Sequence, residues 1–174
     1  MLYYFDFEFT GIRQDTEPIS LGVISWEGDA FYAEFTDYDE SKLNDWVREH
    51  VLPRLGKPHR PNTKYVRGTR GVIRDELVKW FAPSLENNGA AYLVGDFPAY
   101  DWVLFCNLMG RNLYKSGKLC YTCLDLTTFL WVSGYDPDID RGELAGIKAT
   151  AHNALDDARL IKACWENLWS ESGL

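Results

Sequence analysis

Strict alternation opens the chain. In Tyr4-Phe5-Asp6-Phe7-Glu8-Phe9, strand geometry sends Phe5, Phe7 and Phe9 to one side and Asp6 and Glu8 to the other. Residues 2–9 hold five aromatics and a leucine, too apolar for a solvent-flanked edge, so the pattern predicts an interior strand with one acidic face. A second alternating run from Ile19 to Trp26 and a third from Ala30 to Phe35 are joined by Glu27-Gly28-Asp29, the turn chemistry of a hairpin. Ser41 is the expected cap of a helix carrying Leu43, Trp46, Val47 and Val51, stopped by Pro53. The Pro-, Gly- and base-rich stretch from Arg54 to Gly68 predicts a loop.

A second helix is expected from about Arg70, with Ile73, Leu77, Trp80 and Phe81 on its apolar side, ending at Pro83 and Asn87-Asn88-Gly89. Ala90 to Gly95 reads as a short strand buried on both faces, Tyr100 to Met109 as a helix closing at Gly110, and Leu119 to Leu126 as a further strand leading into a helical turn through Phe129 and Trp131. A polar loop from Gly134 to Gly146 precedes a last helix from about Asn153 to Trp169. At about 100° per residue, Ala154, Ala158, Ile161, Trp165 and Leu168 form its buried stripe, with Asp157 at the edge and Asp156 nearly opposite. The expected class is α/β: a mixed five-stranded sheet, three antiparallel strands first and then alternating helices and parallel strands, with helices packed on it.

At 174 residues the chain is expected to form a single domain over 1–174. It has no apolar run of about 18 residues, and its start lacks the basic and apolar regions of a signal peptide, so the expected location is cytoplasmic, with no membrane partner. Cys120-x-x-Cys123 has no second pair to complete a zinc site, so Cys106, Cys120, Cys123 and Cys164 are expected as buried free thiols. Net charge is −8, unevenly spread: residues 1–53 hold 12 acids and 3 bases, whereas residues 54–79 hold 8 bases and 2 acids. The basic run Arg54, Lys57, Arg60, Lys64, Arg67, Arg70 and Arg74 is either a solvated face or a local anion-binding surface on an acidic protein.

The acids carry the candidate chemistry. Asp6 and Glu8 have Cα atoms about 7 Å apart on one strand face, close enough for their carboxylates to converge on one cation. Asp157 at a core boundary is costly unless a cation or hydrogen-bond donors compensate it, although its place in a first helical turn also suits a negative charge. His152, just before that helix, titrates near neutral pH and suits a general base.

Taken in order, Asp6-x-Glu8, Tyr100-Asp101 after a buried strand, and His152-Asn153-Ala154-Leu155-Asp156-Asp157 resemble the DEDDh family of 3′ to 5′ exonucleases. Trp46-Val47-Arg48, His50-Val51-Leu52-Pro53 and Val94-Gly95 before Ala99-Tyr100-Asp101 are most similar to its compact mycobacterial-type exoribonucleases. The resemblance implies a ribonuclease H-like fold and release of nucleoside monophosphates from the 3′ end of RNA. It implies two Mg2+ ions, replaceable by Mn2+, with Asp6 bridging them, Glu8 and Asp157 completing the first site, Asp101 holding the second and His152 as general base. Many relatives carry His-Asn where this chain has Asp96-Phe97, and Asp96 is a rival to Asp101 as third ligand.

Phe9, Thr10, Gly11 and Ile12 fall where relatives grip the terminal nucleotide. Tyr100 and Trp102 are candidates for base stacking or for ordinary core, and Arg60, Lys64, Arg67 and Arg70 for backbone contacts. The implied partner is single-stranded RNA or an RNA 3′ overhang, with DNA as the alternative polymer, and a homodimer is compatible. Two rival functions are a 3′ to 5′ DNA exonuclease and a catalytically silent nucleic-acid-binding module.

Overall fold

The computed structural model describes residues 1–56, 62–88, 90–110, 119–147 and 152–172. It contains six strands, β1 (Leu2–Phe9), β2 (Pro18–Ser25), β3 (Ala30–Phe35), β4 (Thr63–Gly68), β5 (Ala91–Gly95) and β6 (Leu119–Asp125). Among the described residues six α-helices accompany them: α1 (Asp45–His50), α2 (Arg70–Asn88), α3 (Ala99–Met109), α4 (Leu126–Val132), α5 (Arg141–Ala145) and α6 (Ala154–Ser172). All six strands form one sheet in the order β4-β3-β2-β1-β5-β6. β1 to β3 are antiparallel neighbours, and β5 and β6 continue the sheet in parallel beside β1. The acidic strand is therefore central, as its aromatic content predicts.

The alternation of β1 separates two cores. Phe5 and Phe7 join Leu21, Val23, Phe31 and Phe35 beneath Ile73, Leu77 and Phe81 of α2 and Phe105 of α3. Tyr4 faces the other way, with Ile24 and Val94, onto Ala158, Ile161, Trp165 and Leu168 of α6 and Leu126 and Leu130 of α4. Asp6 and Glu8 continue the Tyr4 side of the strand, so the acidic face lies on the α6 side of the sheet.

Four expectations are corrected, the first being the polar loop from Gly134 to Gly146, which contains α5 (Arg141–Ala145). The sheet has six strands rather than five, because Thr63–Gly68 is a strand and not loop. It pairs in parallel with β3 from Ala30↔Thr63 to Phe35↔Gly68, and only Val66 of its side chains is buried. A strand this polar carries no alternation to read, and its lysine and arginine are what a sheet edge tolerates. The second helix runs through Pro83, expected to help end it, and closes at Asn88, within the expected Asn87-Asn88-Gly89 stop. Ile73, Leu77, Phe81 and Leu85 are all buried along one stripe. Burial of Leu85 beyond the proline is worth about 1.5–3 kcal/mol, similar to the roughly 3 kcal/mol that an interior proline costs. The first helix begins at Asp45, capped by the Asn44 side chain at Val47 N (2.8 Å), whereas Ser41 belongs to a preceding 3₁₀ turn.

Candidate active site

Two elements from opposite ends of the sequence build the site. β1 supplies Asp6 and Glu8, and the first turn of α6 supplies Asp157. Their approach depends on Gly22, the β2 residue opposite Asp6. A Cβ there would lie 2.3 Å from the Ala154 carbonyl oxygen and 2.4 Å from Leu155 Cα, so the start of α6 rests directly on the β2 backbone. Asn153 fixes the helix entry: its backbone N–H donates to Asp157 Oδ2 (3.1 Å), and its side-chain oxygen accepts from Asp156 N (3.3 Å). One carboxylate oxygen from each of Asp6, Glu8 and Asp157 lies within 4.8 Å of the other two. A hard cation held by oxygens at about 2.0–2.6 Å fits such a set.

Among the described residues no cation acts on Asp6 or Glu8, and Asp157 has only the partial help of Arg54. Burial pushes Asp6 well above the ordinary carboxylate range, and Asp101, Asp157, Glu8 and Asp96 add repulsion in that order. Glu8 is raised to about 8 by burial and then by Asp157 and Asp101. Asp157 is raised to about 7 by burial, against the pull of the Asn153 and His152 backbone donors. A divalent cation would reverse each of these penalties, because it stabilises the ionised form that burial disfavours.

Asp101 and Asp96 occupy different environments. Asp101, in the first turn of α3, accepts the Phe7 backbone N–H (2.8 Å) and is raised to about 6 by burial. It thereby lies against β1 beside Asp6. Asp96 is gripped by Arg141 through two bonds, Nε to Oδ2 at 2.7 Å and Nη2 to Oδ1 at 3.0 Å, and accepts a third from Thr127 Oγ1 (2.7 Å). A carboxylate already held by a guanidinium fork has little to offer a metal, and Asp101 is the better placed of the two rivals.

His152 packs in a small aromatic nest. The Trp46 and His152 ring centroids are 4.8 Å apart, edge to face, and Trp46 stacks on His50 at 5.0 Å. His50 is held by its Nδ1–H, which donates to the Trp46 carbonyl (2.9 Å). Burial, His50 and Arg54 all lower the His152 pKa below its usual value, keeping the ring neutral and able to accept a proton near pH 7. His152 also has φ +65°, a left-handed backbone uncommon for a residue with a side chain.

The expected nucleotide contacts divide. Phe9 and Tyr100 stack on each other at 5.6 Å, Ile12 is 82% exposed, and Gly11 has φ +151° at the mouth of the β1–β2 connection. Thr10 is fully buried, and its hydroxyl accepts Glu17 N (3.0 Å), so the side chain braces that connection. Trp102 is partly buried, stacked on Phe105 at 5.8 Å against the core.

Of the basic run, Lys57 and Arg60 lie outside the described residues. Lys64 pairs with Glu76 (3.0 Å), Arg67 with Glu34 (3.7 Å), Arg70 with Glu17 (2.8 Å) and Arg74 with Asp75 (2.8 Å). β4 is three strands from β1, about 14 Å at the usual strand spacing. Arg54 alone of the described members acts on the acids, lowering Asp157, and its carbonyl accepts from Asn153 Nδ2 (3.4 Å). The segment around Trp46, His50 and Arg54 is signalled in the sequence by the family-like motifs Trp46-Val47-Arg48 and His50-Val51-Leu52-Pro53, but not as a support for His152.

Two proteins of Mycobacterium tuberculosis are similar to this chain, the 3′-5′ exoribonuclease Rv2179c of strain ATCC 25618 / H37Rv and the 3′-5′ exoribonuclease MT2234.1 of strain CDC 1551 / Oshkosh. Each is 33% identical over 110 residues, spanning 63% of this chain and 62% of the relative, less than two thirds of its length. The family described as the 3′-5′ exoribonuclease Rv2179c-like domain matches residues 1–169, and the chain belongs to that family.

Proposed function

We propose that this chain is a metal-dependent 3′ to 5′ exoribonuclease that releases nucleoside monophosphates from the 3′ end of RNA. The observation that carries the reading is the convergence of Asp6, Glu8 and Asp157 within 4.8 Å, with Arg54 acting on Asp157 but no cation acting on Asp6 or Glu8 among the described residues. The donor set is entirely carboxylate oxygen, which suits Mg2+ or Mn2+. Asp6, Glu8 and Asp157 would hold one ion, and Asp101, with Asp6, a second. A pair of such ions supplies activation of the attacking water and stabilisation of the leaving oxygen.

The protein's own groups supply the rest. His152, kept neutral by burial, accepts the proton from the water as it attacks the terminal phosphodiester. The stacked Trp46 and His50 rings both meet the imidazole at a steep angle and limit its rotation on that side. Asn153 N–H orients Asp157, and Phe7 N–H orients Asp101, so both carboxylates are aimed before a ligand arrives. Ile12, exposed in the β1–β2 connection, and the Phe9–Tyr100 pair are the candidates to receive a terminal nucleotide.

The decisive experiment incubates the protein with 5′-labelled single-stranded RNA and matched DNA in Mg2+, Mn2+ or EDTA. The expected result is a descending ladder from the 3′ end of RNA that EDTA abolishes. Undiminished cleavage in excess EDTA would overturn the metal mechanism, and degradation of DNA alone would replace the substrate.

A further inference from the structure

Phe97 is the most anomalous residue of the fold. It stands just beyond the carboxyl end of β5, the strand parallel to and hydrogen-bonded with β1. It adopts φ +47°, in the left-handed region. Among the described residues only Asn62, His152 and Phe97 do so without being glycine. Asparagine tolerates that region best, and His152 is the candidate general base. For a bulky aromatic the conformation is a genuine outlier, and such outliers persist where the surroundings impose them.

The surroundings do impose it. Asp125 Oδ1 accepts the Phe97 backbone N–H (3.1 Å), and the Phe97 carbonyl accepts Ala99 N–H (2.9 Å). The preceding residue, Asp96, is fastened by Arg141 and Thr127. A chain reversal alone would be served by glycine or asparagine. Nor does the ring contribute to packing: Phe97 is 72% exposed and makes no ring contact with a described residue. An apolar ring is thus held in water, in a strained turn, four residues before Asp101 and next to the residue whose charge reaches Asp6. It lies on the β5 side of the acids, whereas Ile12 lies in the connection leading to β2, on the other side.

We infer that Phe97 is a stacking platform for one of the two nucleobases that flank the scissile phosphate, gripping a single-stranded 3′ end on the flank opposite Ile12. Stacking on an aromatic side chain tolerates any base, since every base has a π face, and it excludes a paired end whose bases are already stacked. The inference rests on the exonuclease reading, and it adds a substrate requirement: the last two nucleotides must be unpaired.

The test compares Phe97→Gly and Phe97→Tyr with the wild type. Glycine accepts the left-handed backbone, so the turn survives and the thermal midpoint of Phe97→Gly should be unchanged or higher. Its kcat/KM on single-stranded RNA should fall about 5- to 150-fold, the effect of losing one base–aromatic stack, chiefly through KM, while Phe97→Tyr retains activity. On RNA with an abasic residue at the last or the penultimate position, the gap between wild type and Phe97→Gly should close for one of the two. A binding measurement separates this inference from the hydrolytic reading: in an Asp6→Asn background, RNA carrying 2-aminopurine at those positions should be quenched on binding, and less so with Phe97→Gly. If the wild type binds with quenching but does not hydrolyse RNA, the functional reading fails and the platform stands. If Phe97→Gly cleaves and quenches as the wild type does, or the gap persists on every abasic substrate, the platform is overturned.

Discussion

The protein carries two concentrations of charge, and they are settled in opposite ways. On the β4 and α2 side, Lys64, Arg67, Arg70 and Arg74 each lie against a carboxylate, and the buried acid there, Glu34, is satisfied by Gly56 N–H (2.6 Å), Tyr65 Oη (3.1 Å) and Arg67. Around the central strand, Asp6, Glu8 and Asp157 crowd together, and Asp157 raises the pKa values of both Asp6 and Glu8. The first region has its counter-charges built in; in the second, Arg54 acts on Asp157 alone. A fold that satisfies a buried acid at Glu34, yet leaves Asp6 and Glu8 without a cationic partner among the described residues, points to a ligand rather than to poor packing.

The largest effect should come from breaking the second region. Asp6→Ala or Asp157→Ala is expected to lower kcat/KM for RNA about 10⁴-fold, since members of a set that acts as a unit are not individually dispensable. In EDTA the same variants should melt higher than the wild type, because removing one acid relieves the others. An equal or lower melting point in EDTA would mean that the acids are not in conflict.

His152→Ala should cost about 10²- to 10³-fold in kcat with little change in KM, within the range for a general base. The acid limb of the wild-type profile should lie below about pH 6.5 and vanish in the variant; a limb that survives the substitution belongs to another group.

The pH dependence of stability sharpens the contrast. Glu8, Asp157 and Asp101, at about 8, 7 and 6 when folded, keep protons that an unfolded chain releases near pH 4. The folded state therefore binds more protons across that interval. Metal-free protein should lose stability as pH rises from about 4 to about 8, the reverse of a salt-bridged carboxylate. Saturating Mg2+ should flatten the slope, which urea titrations across this range would measure.

Gly22→Ala touches no acid. Overpacking against Ala154 should cost about 1–3 kcal/mol and lower activity by moving Asp157 away from Asp6. Wild-type activity in this variant would show that the carboxylate spacing is tolerant.

The smallest effect is expected in the first region. If Lys64 and Arg67 contacted phosphates freely, replacing both would reduce the slope of log affinity against log salt by about 1.4 for single-stranded RNA. Their pairing with Glu76 and Glu34 predicts less than half of that. A full drop would mean that the pairs open for RNA, restoring the anion-binding surface that the charge distribution suggests.

The contrast also marks what was legible in the sequence. β1 and α6 could be read because each buries one well-defined face: Ala154, Ala158, Ile161, Trp165 and Leu168 are all buried, and the acids fall beside or opposite those faces. β4 buries only Val66, so its sequence resembles a loop, and its strand character comes from the free edge of β3. Pro83 was misleading because a local penalty is outweighed by a stripe that continues past it. The surroundings of the site were least legible. The nest around His152 depends on how residues 44–56 fold back, which no periodicity encodes. The fastening of Asp96 depends on Arg141, whose distance in sequence hides a bidentate contact.

The site joins the first strand to the last helix, and this bears on how the protein is made. Asp6 and Glu8 leave the ribosome well before α6, which can dock beside them only once residues 154–172 have been synthesised. Contacts this distant in sequence form late and slowly. A chain interrupted before α6 therefore holds Asp6 and Glu8 without Asp157, and the carboxylate cluster exists only once that helix has docked.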